Sequence, residues 1–310
     1  MKIAFIILCH KNANQINDLI KSISDDNVDI YIHIDSKSNI ENAIKKDSHV
    51  FVLPKNESYS INWGSNDMIL ATLKMIEWIK YSKKHYDYIW LISGQDFPLI
   101  KMNKIMERLK KNKGYNYIDI IDKSSNLYNR YKKLYELWYP KWITKDKTYV
   151  KIIKRLYMLF TGGFNHTFSL FKRKKPFDFD FYFGSQWWTL QSECAFSLLD
   201  YCNNHPEYIN YFENSIIPDE CFFQTLFMNS KYNNKRFDNL TYVNWGNNRR
   251  SPEIILINDY NKLLNISGQK YFARKFDYDY DKKIVNKIGE EMLQNEIKNW
   301  LCNYLGWWFR

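Results

Sequence analysis

The chain has 310 residues, 45% of them hydrophobic, which is enough for one large α/β domain or two small ones. A formal net charge of +11 points to an anionic partner: a nucleic acid, a nucleotide or pyrophosphate, or an acidic membrane surface. Cys9, Cys194, Cys202, Cys221 and Cys302 are scattered, with no C-x-x-C pair, which argues against a zinc site or a disulfide framework.

Ile3 to Leu8 is a continuous apolar run, as in a parallel strand covered on both faces. It is too short for a secretory signal, and the polar His10-Lys11-Asn12 follows it. Asn14 to Ser24 reads as a helix with Ile16, Leu19, Ile20 and Ile23 on one face. Val28 to Asp35 is a second strand ending in an acid, and Val50 to Leu53 a short third one. Trp63-Gly64 opens a long helix over about 65–82, with Ile69, Leu73, Ile76 and Ile79 inward. Tyr88 to Ile92 is the next strand, running into Ser93-Gly94-Gln95-Asp96-Phe97-Pro98-Leu99. Strands alternating with helices predict a mostly parallel twisted sheet flanked by helices. Ligands bind beyond the carboxyl ends of such strands, where His10, Asp35 and Asp96 fall.

Residues 122–176 are rich in Tyr, Trp, Lys and Arg and weakly periodic. Within them 149–160 has the pattern of a basic amphipathic helix, and Lys172-Arg173-Lys174-Lys175 closes the segment. Two readings stand: contact of 149–175 with a membrane surface or a lipid-linked substrate, or a solvated basic lid. Order returns after Pro176, with a strand over Gly184–Leu190, a helix over Ser192–Cys202 and a strand over Leu240–Asn244. A final helix ends in Trp307-Trp308-Phe309-Arg310. No run approaches the ~20 apolar residues of a membrane span.

Between them lies Pro218-Asp219-Glu220-Cys221-Phe222-Phe223. Proline suits a first helical turn, the helix dipole favours acids there, and Phe222, Phe223, Leu226 and Phe227 recur at helical spacing. Locally, both acids read as caps; the alternative is one carboxylate held at the rim of a cleft. A nucleotide-sugar transferase needs such a base, and positive charge or a metal for its diphosphate. Asp178-Phe179-Asp180 and Asp277-Tyr278-Asp279 have the Asp-x-Asp form of a metal site, but neither follows an apolar strand, so both read as solvated turns.

In order along the chain, Ile6–Lys11, Tyr31-Ile32-His33-Ile34-Asp35, Trp63-Gly64, Leu91–Leu99, Gly184-Ser185-Gln186-Trp187, Pro218-Asp219-Glu220, Ser251-Pro252 and Phe272-Ala273-Arg274-Lys275-Phe276 make a recognisable set. The sequence resembles the core-2/I-branching β-1,6-N-acetylglucosaminyltransferases and peptide O-xylosyltransferases, which form one family. Only the middle segment lacks a match. The resemblance implies a GT-A-type fold in a single domain over 1–310: a nucleotide-binding half at 1–121, a basic aromatic insertion or lid at 122–176, and an acceptor and catalytic half at 177–310. It implies an inverting reaction from a UDP-sugar with no divalent metal. Glu220 would be the general base, with Asp219 left as a cap. Arg274 and Lys275, with Arg250 beside them, would bind the diphosphate; His10 and Asp35 the nucleotide; and Asp96, Trp187, Trp245 and Trp63 the sugar or acceptor.

The expected donor is UDP-N-acetylglucosamine, with UDP-xylose, UDP-galactose and UDP-glucose as alternatives. The expected acceptor is a surface glycan, free or lipid-linked. The Lys/Asn/Ile-rich composition and unpaired cysteines lead us to expect a bacterial cytoplasmic enzyme, peripheral at the inner face of the membrane. Nucleic-acid binding is the competing class, but no recognition module is present; a non-catalytic glycan-binding protein on the same fold is another.

Overall fold

The structure is a computed structural model, and it describes residues 1–141, 172–246 and 251–291. The strands are β1 (Ile3–Cys9), β2 (Val28–Ile34), β3 (Val50–Val52), β4 (Tyr88–Ser93), β5 (Asp96–Pro98), β6 (Asn116–Tyr117), β7 (Thr189–Gln191), β8 (Arg236–Phe237), β9 (Thr241–Val243) and β10 (Phe272–Arg274). A seven-stranded sheet has the order β3-β2-β1-β4-β7-β6-β8. All its neighbours are parallel except β7, which runs against both β4 and β6. This is the mostly parallel, GT-A-type arrangement expected. A small second sheet, β5-β10-β9, stands beside the end of β4.

The helices are α1 (Ala13–Ile23), α2 (Asp67–Tyr81), α3 (Met102–Lys111), α4 (Asn126–Glu136), α5 (Ser192–Asn204), α6 (Pro206–Phe212), α7 (Phe222–Met228) and α8 (Tyr260–Ile266). β1 is buried along its whole length because each face has its own cover. Ile3, Phe5 and Ile7 pack with Ile16, Leu19, Ile20 and Ile23 of α1 and with Phe272 of β10. Ala4, Ile6 and Leu8 pack with Ile69, Leu73, Ile76 and Ile79 of α2 and with Phe222 and Phe223 of α7. The apolar positions read from the sequence are therefore those that face the sheet.

Three local expectations are corrected. The strand expected over 184–190 enters the sheet only at Thr189, because Gly184 is drawn off to bond the carbonyl of Glu220. The helix expected to start at Pro218 is broken. Pro218–Glu220 is one 3-10 turn, Cys221 leaves helical geometry at φ −131°, and α7 begins at Phe222. Asp178 and Asp180 do not sit in a turn. Phe177, Phe179, Phe181 and Phe183 alternate with them along an extended segment, the aromatics facing a cluster with Tyr208, Tyr211 and Phe212.

In the block at 172–175, Lys172 and Lys174 are exposed while Arg173 is tied down. Arg173 donates to the carbonyls of Tyr135 (3.0 Å) and Tyr211 and to Ser215 Oγ (2.8 Å), while Lys172 pairs with Glu136 at 3.2 Å. Lys175 reaches back over Phe181. The proposed amphipathic helix at 149–160, Arg250 and the chain after residue 291 lie outside the described residues, while 283–291 are helical. Among the described residues, no helix is long and apolar enough to cross a membrane.

Candidate active site

The site is assembled at the carboxyl ends of β1, β2 and β4, where the small sheet crosses over. In the register of that sheet Arg274 of β10 lies opposite Asp96 of β5. The Arg274 guanidinium donates to Asp96 Oδ1 at 3.3 Å and lies 4.2 Å from the centroid of the Trp187 ring. The other Asp96 oxygen accepts the Ser93 amide at 2.9 Å. The Asp96 side chain is wholly buried, and its burial pushes its pKa up to about 6 against the pull of Arg274 and the Ser93 amide. Asp96 and Trp187 are both buried, which favours the structural of the two roles open to Asp96. They are the floor on which Arg274 is held.

After β10 the chain turns back over the start of α1. Gln15 fixes this turn, its amide donating to the carbonyls of Gly94 (2.9 Å) and Phe276 (3.1 Å) and accepting from the Tyr278 amide (3.0 Å). Lys11 pairs with Asp277 at 2.7 Å and Asp279 at 2.9 Å. Asp277-Tyr278-Asp279 opens a turn, as expected, with Asp279 exposed, but Asp277 is buried and anchors the segment. The segment leaves Lys275 half-buried with no ion-pair partner among the described residues. Burial and the nearby Arg274 hold its pKa below the ordinary lysine range. His10 stands exposed at the end of β1, and loss of hydration with the charges of Lys11 and Lys275 lowers its pKa. Asp35 is buried, accepting the Lys37 amide at 2.9 Å. His33 points inward, where its Nε2 accepts the Tyr59 amide and burial lowers its pKa to about 4.

The 3-10 turn carrying Glu220 is clamped from three sides. Ile217 enters it with φ 53°, and its amide donates to the Gly64 carbonyl at 2.9 Å. Gly64 itself has φ 75°, which glycine adopts without strain. The Tyr135 hydroxyl donates to the Ile217 carbonyl. The Gly184 amide donates to the Glu220 carbonyl at 3.0 Å, and the Tyr131 hydroxyl to Glu220 Oε2 at 3.2 Å. Burial, with the Asp219 charge second, pushes Glu220 up to about 7. Asp219 caps no helix, as α7 has no side-chain cap; burial raises it to about 6 and Arg274 opposes this. The Arg274 charge acts on Asp219 through space, while its ion-pair partner among the described residues is Asp96. Trp63, beside Gly64, is 76% exposed and Trp245, just after β9, is 44% exposed.

The sequence reading missed Tyr131, Lys11 and Gln15. The spacing Tyr128, Tyr131, Tyr135 was the available signal for the first of these, since it lays three phenols on one face of α4. Among the described residues no group of three His, Cys, Asp or Glu side chains converges as a metal-ligand set.

A mostly parallel sheet with one reversed strand carries, at its carboxyl edge, two acids raised by burial and the adjoining cations Arg274 and Lys275. The chain belongs to the Core-2/I-Branching enzyme family, whose sequence profile matches residues 3–264. It is similar to Xylosyltransferase oxt of Drosophila pseudoobscura pseudoobscura, 22% identical over 338 residues, covering 99% of this chain and 35% of that protein. It is also similar to Xylosyltransferase 1 of Homo sapiens, 22% identical over 316 residues, covering 93% of this chain and 30% of that protein. The chain thus spans about a third of the length of these relatives. Among solved structures the apo WbbM bifunctional glycosyltransferase aligns with a TM-score of 0.38 at 10% identity, covering 88% of this chain and 45% of that one.

Proposed function

We propose that the chain transfers a sugar from a UDP-sugar to an acceptor hydroxyl with inversion, Glu220 acting as general base and no divalent metal taking part. The observation that carries this reading is the Glu220 carboxyl, raised by burial to about 7 and held by the Tyr131 hydroxyl on a turn clamped by Gly64, Tyr135 and Gly184. A base poised near the working pH is the efficient choice for proton transfer. As the acceptor oxygen attacks the anomeric carbon, Glu220 takes its proton. The bond from that carbon to the diphosphate oxygen breaks, and its electron pair leaves on UDP. Arg274 and Lys275 would neutralise the developing charge in a partly dry cleft, as a divalent ion does elsewhere. His10 and Asp35, at the ends of β1 and β2, would face the nucleotide, and Trp63 and Trp245 would offer ring faces to the acceptor.

N-acetylglucosamine is the sugar expected from the family; xylose is the second candidate, because the relatives are named for xylosyl transfer. A surface glycan is the proposed acceptor. A panel of UDP-sugars, followed by hydrolysis in the absence of acceptor, tests the reading. We expect one donor to be turned over, and Glu220→Gln to lower kcat by about 10²–10⁴ with UDP affinity intact. Full turnover in that variant removes Glu220 from the mechanism. Failure to bind any UDP-sugar removes the reading itself.

A further inference from the structure

Helix α4 lies in the part of the chain that carries none of the family motifs, yet it supplies the side chain that touches the Glu220 carboxylate. Its three tyrosines act differently. Tyr128 donates to the Phe181 carbonyl at 2.9 Å and Tyr135 to the Ile217 carbonyl, both backbone contacts. Tyr131 alone donates to a carboxylate, Glu220 Oε2 at 3.2 Å, while its ring packs 5.6 Å from that of Phe183. Burial and the Glu220 charge raise the Tyr131 pKa, so the phenol stays protonated and remains a donor at every working pH.

The groups that face Glu220 act in opposing directions. Asp219, on the same turn, disfavours its charge, as does burial. Tyr131 favours it, and Tyr135 of α4 is neutral and committed to the backbone. Arg274 of β10 acts on Asp219, and Arg130 lies next to Tyr131. Removing the phenol would leave the Glu220 carboxylate with no side-chain donor among the described residues. We propose that Tyr131 is the positioning residue of the base: its hydroxyl fixes the Glu220 carboxylate in one orientation and favours the charged form that accepts the acceptor proton. The proposal rests on the reading of Glu220 as general base and adds a residue that the family resemblance does not assign.

Tyr131→Phe deletes one oxygen and keeps the ring. The Glu220 carboxyl is followed by ¹³C NMR titration of the free protein, its signal identified by its loss in Glu220→Gln. We expect the midpoint to rise by about one unit in Tyr131→Phe, because a charge-assisted hydrogen bond to the anion is lost. The acid limb of kcat/KM should move with it, lowering the rate at pH 7 roughly fivefold, with recovery toward wild type at pH 9 and donor KM unchanged. Tyr135→Phe serves as the structural control, lowering Tm without moving the midpoint. An unmoved midpoint in Tyr131→Phe, or an equal shift in Tyr135→Phe, overturns the proposal. The titration needs no substrate. A normal shift without any sugar transfer would therefore count against the proposed function and leave the Tyr131–Glu220 link intact.

Discussion

Asp96, Asp219 and Glu220 all have pKa values raised by burial, to about 6, 6 and 7. A carboxyl whose folded pKa exceeds its unfolded one contributes stability below the unfolded value, near 4, and that contribution is lost as pH rises through the folded value. The site is thus a cost to the fold at neutral pH, as is usual for groups tuned for chemistry. We expect the Tm of the wild-type protein to fall relative to Glu220→Gln between pH 5 and pH 8. Parallel melting curves across that range would show that Glu220 does not titrate there. Asp96 has a second effect. Its side chain is wholly buried against Arg274, so Asp96→Asn would strand a buried cation and cost about 3 kcal/mol, with weaker UDP binding by calorimetry. Unchanged melting and affinity would mean that Trp187 and Asp219 suffice to hold Arg274. Glu220, Arg274 and Lys275 could be singled out in the sequence because they sit in motifs that resemble those of the family. For Asp96 a structural role and a substrate contact stood level in the sequence, and its burial against Arg274 was not readable there, since exposure is no property of a residue type.

At the scale of elements, the turn at Pro218–Glu220 is defined by what presses on it. Its own sequence suggested a helix start, and Cys221 breaks that helix. Gly184 illustrates how tight the arrangement is. A Cβ there would stand 1.9 Å from the Asp119 carbonyl oxygen, backbone that cannot swing aside. Gly184→Ala should therefore destabilise by roughly 2–3 kcal/mol and displace the amide that holds Glu220, lowering kcat with it. A variant with wild-type melting and turnover would show that this segment gives way easily. The period-2 pattern from Phe177 to Phe183 was readable as an extended segment, and its Asp178 and Asp180 as the outward set. Asp180 pairs with Lys123 at 2.8 Å, a consequence of that alternation. The stripe of tyrosines on α4 was hidden by its setting, a basic aromatic stretch in which periodicity is diluted by residues that face solvent.

For the whole molecule, the two halves expected at 1–121 and 177–310 share one sheet, since β7 is inserted between β4 and β6. Glu220, Arg274 and Lys275 come from the later half and the strand ends carrying His10 and Asp35 from the earlier one, so the proposed site needs both. Neither Asp-x-Asp sequence presents a free pair of carboxylates: Asp277 and Asp279 hold Lys11, and Asp180 holds Lys123. We therefore expect transfer to persist in excess EDTA, read as product formed before and after chelation. A strict requirement for Mn²⁺ would reopen the question of what neutralises the diphosphate.

The sequence by itself determined the α/β alternation, the inward faces of α1 and α2, and the strand ends at which a ligand would bind. Those follow from periodicity, which records burial one element at a time. It also held the family motifs that single out Glu220, Arg274 and Lys275. The tertiary structure alone decided who meets whom. Tyr131 and Glu220 are 89 residues apart, Asp96 and Arg274 178, and Lys11 and Asp277 266. No local pattern encodes such pairings, because they depend on strand order and on the packing of distant elements. The same packing raises the Glu220 carboxyl toward neutrality, turning an acid that looked like a cap into a candidate base.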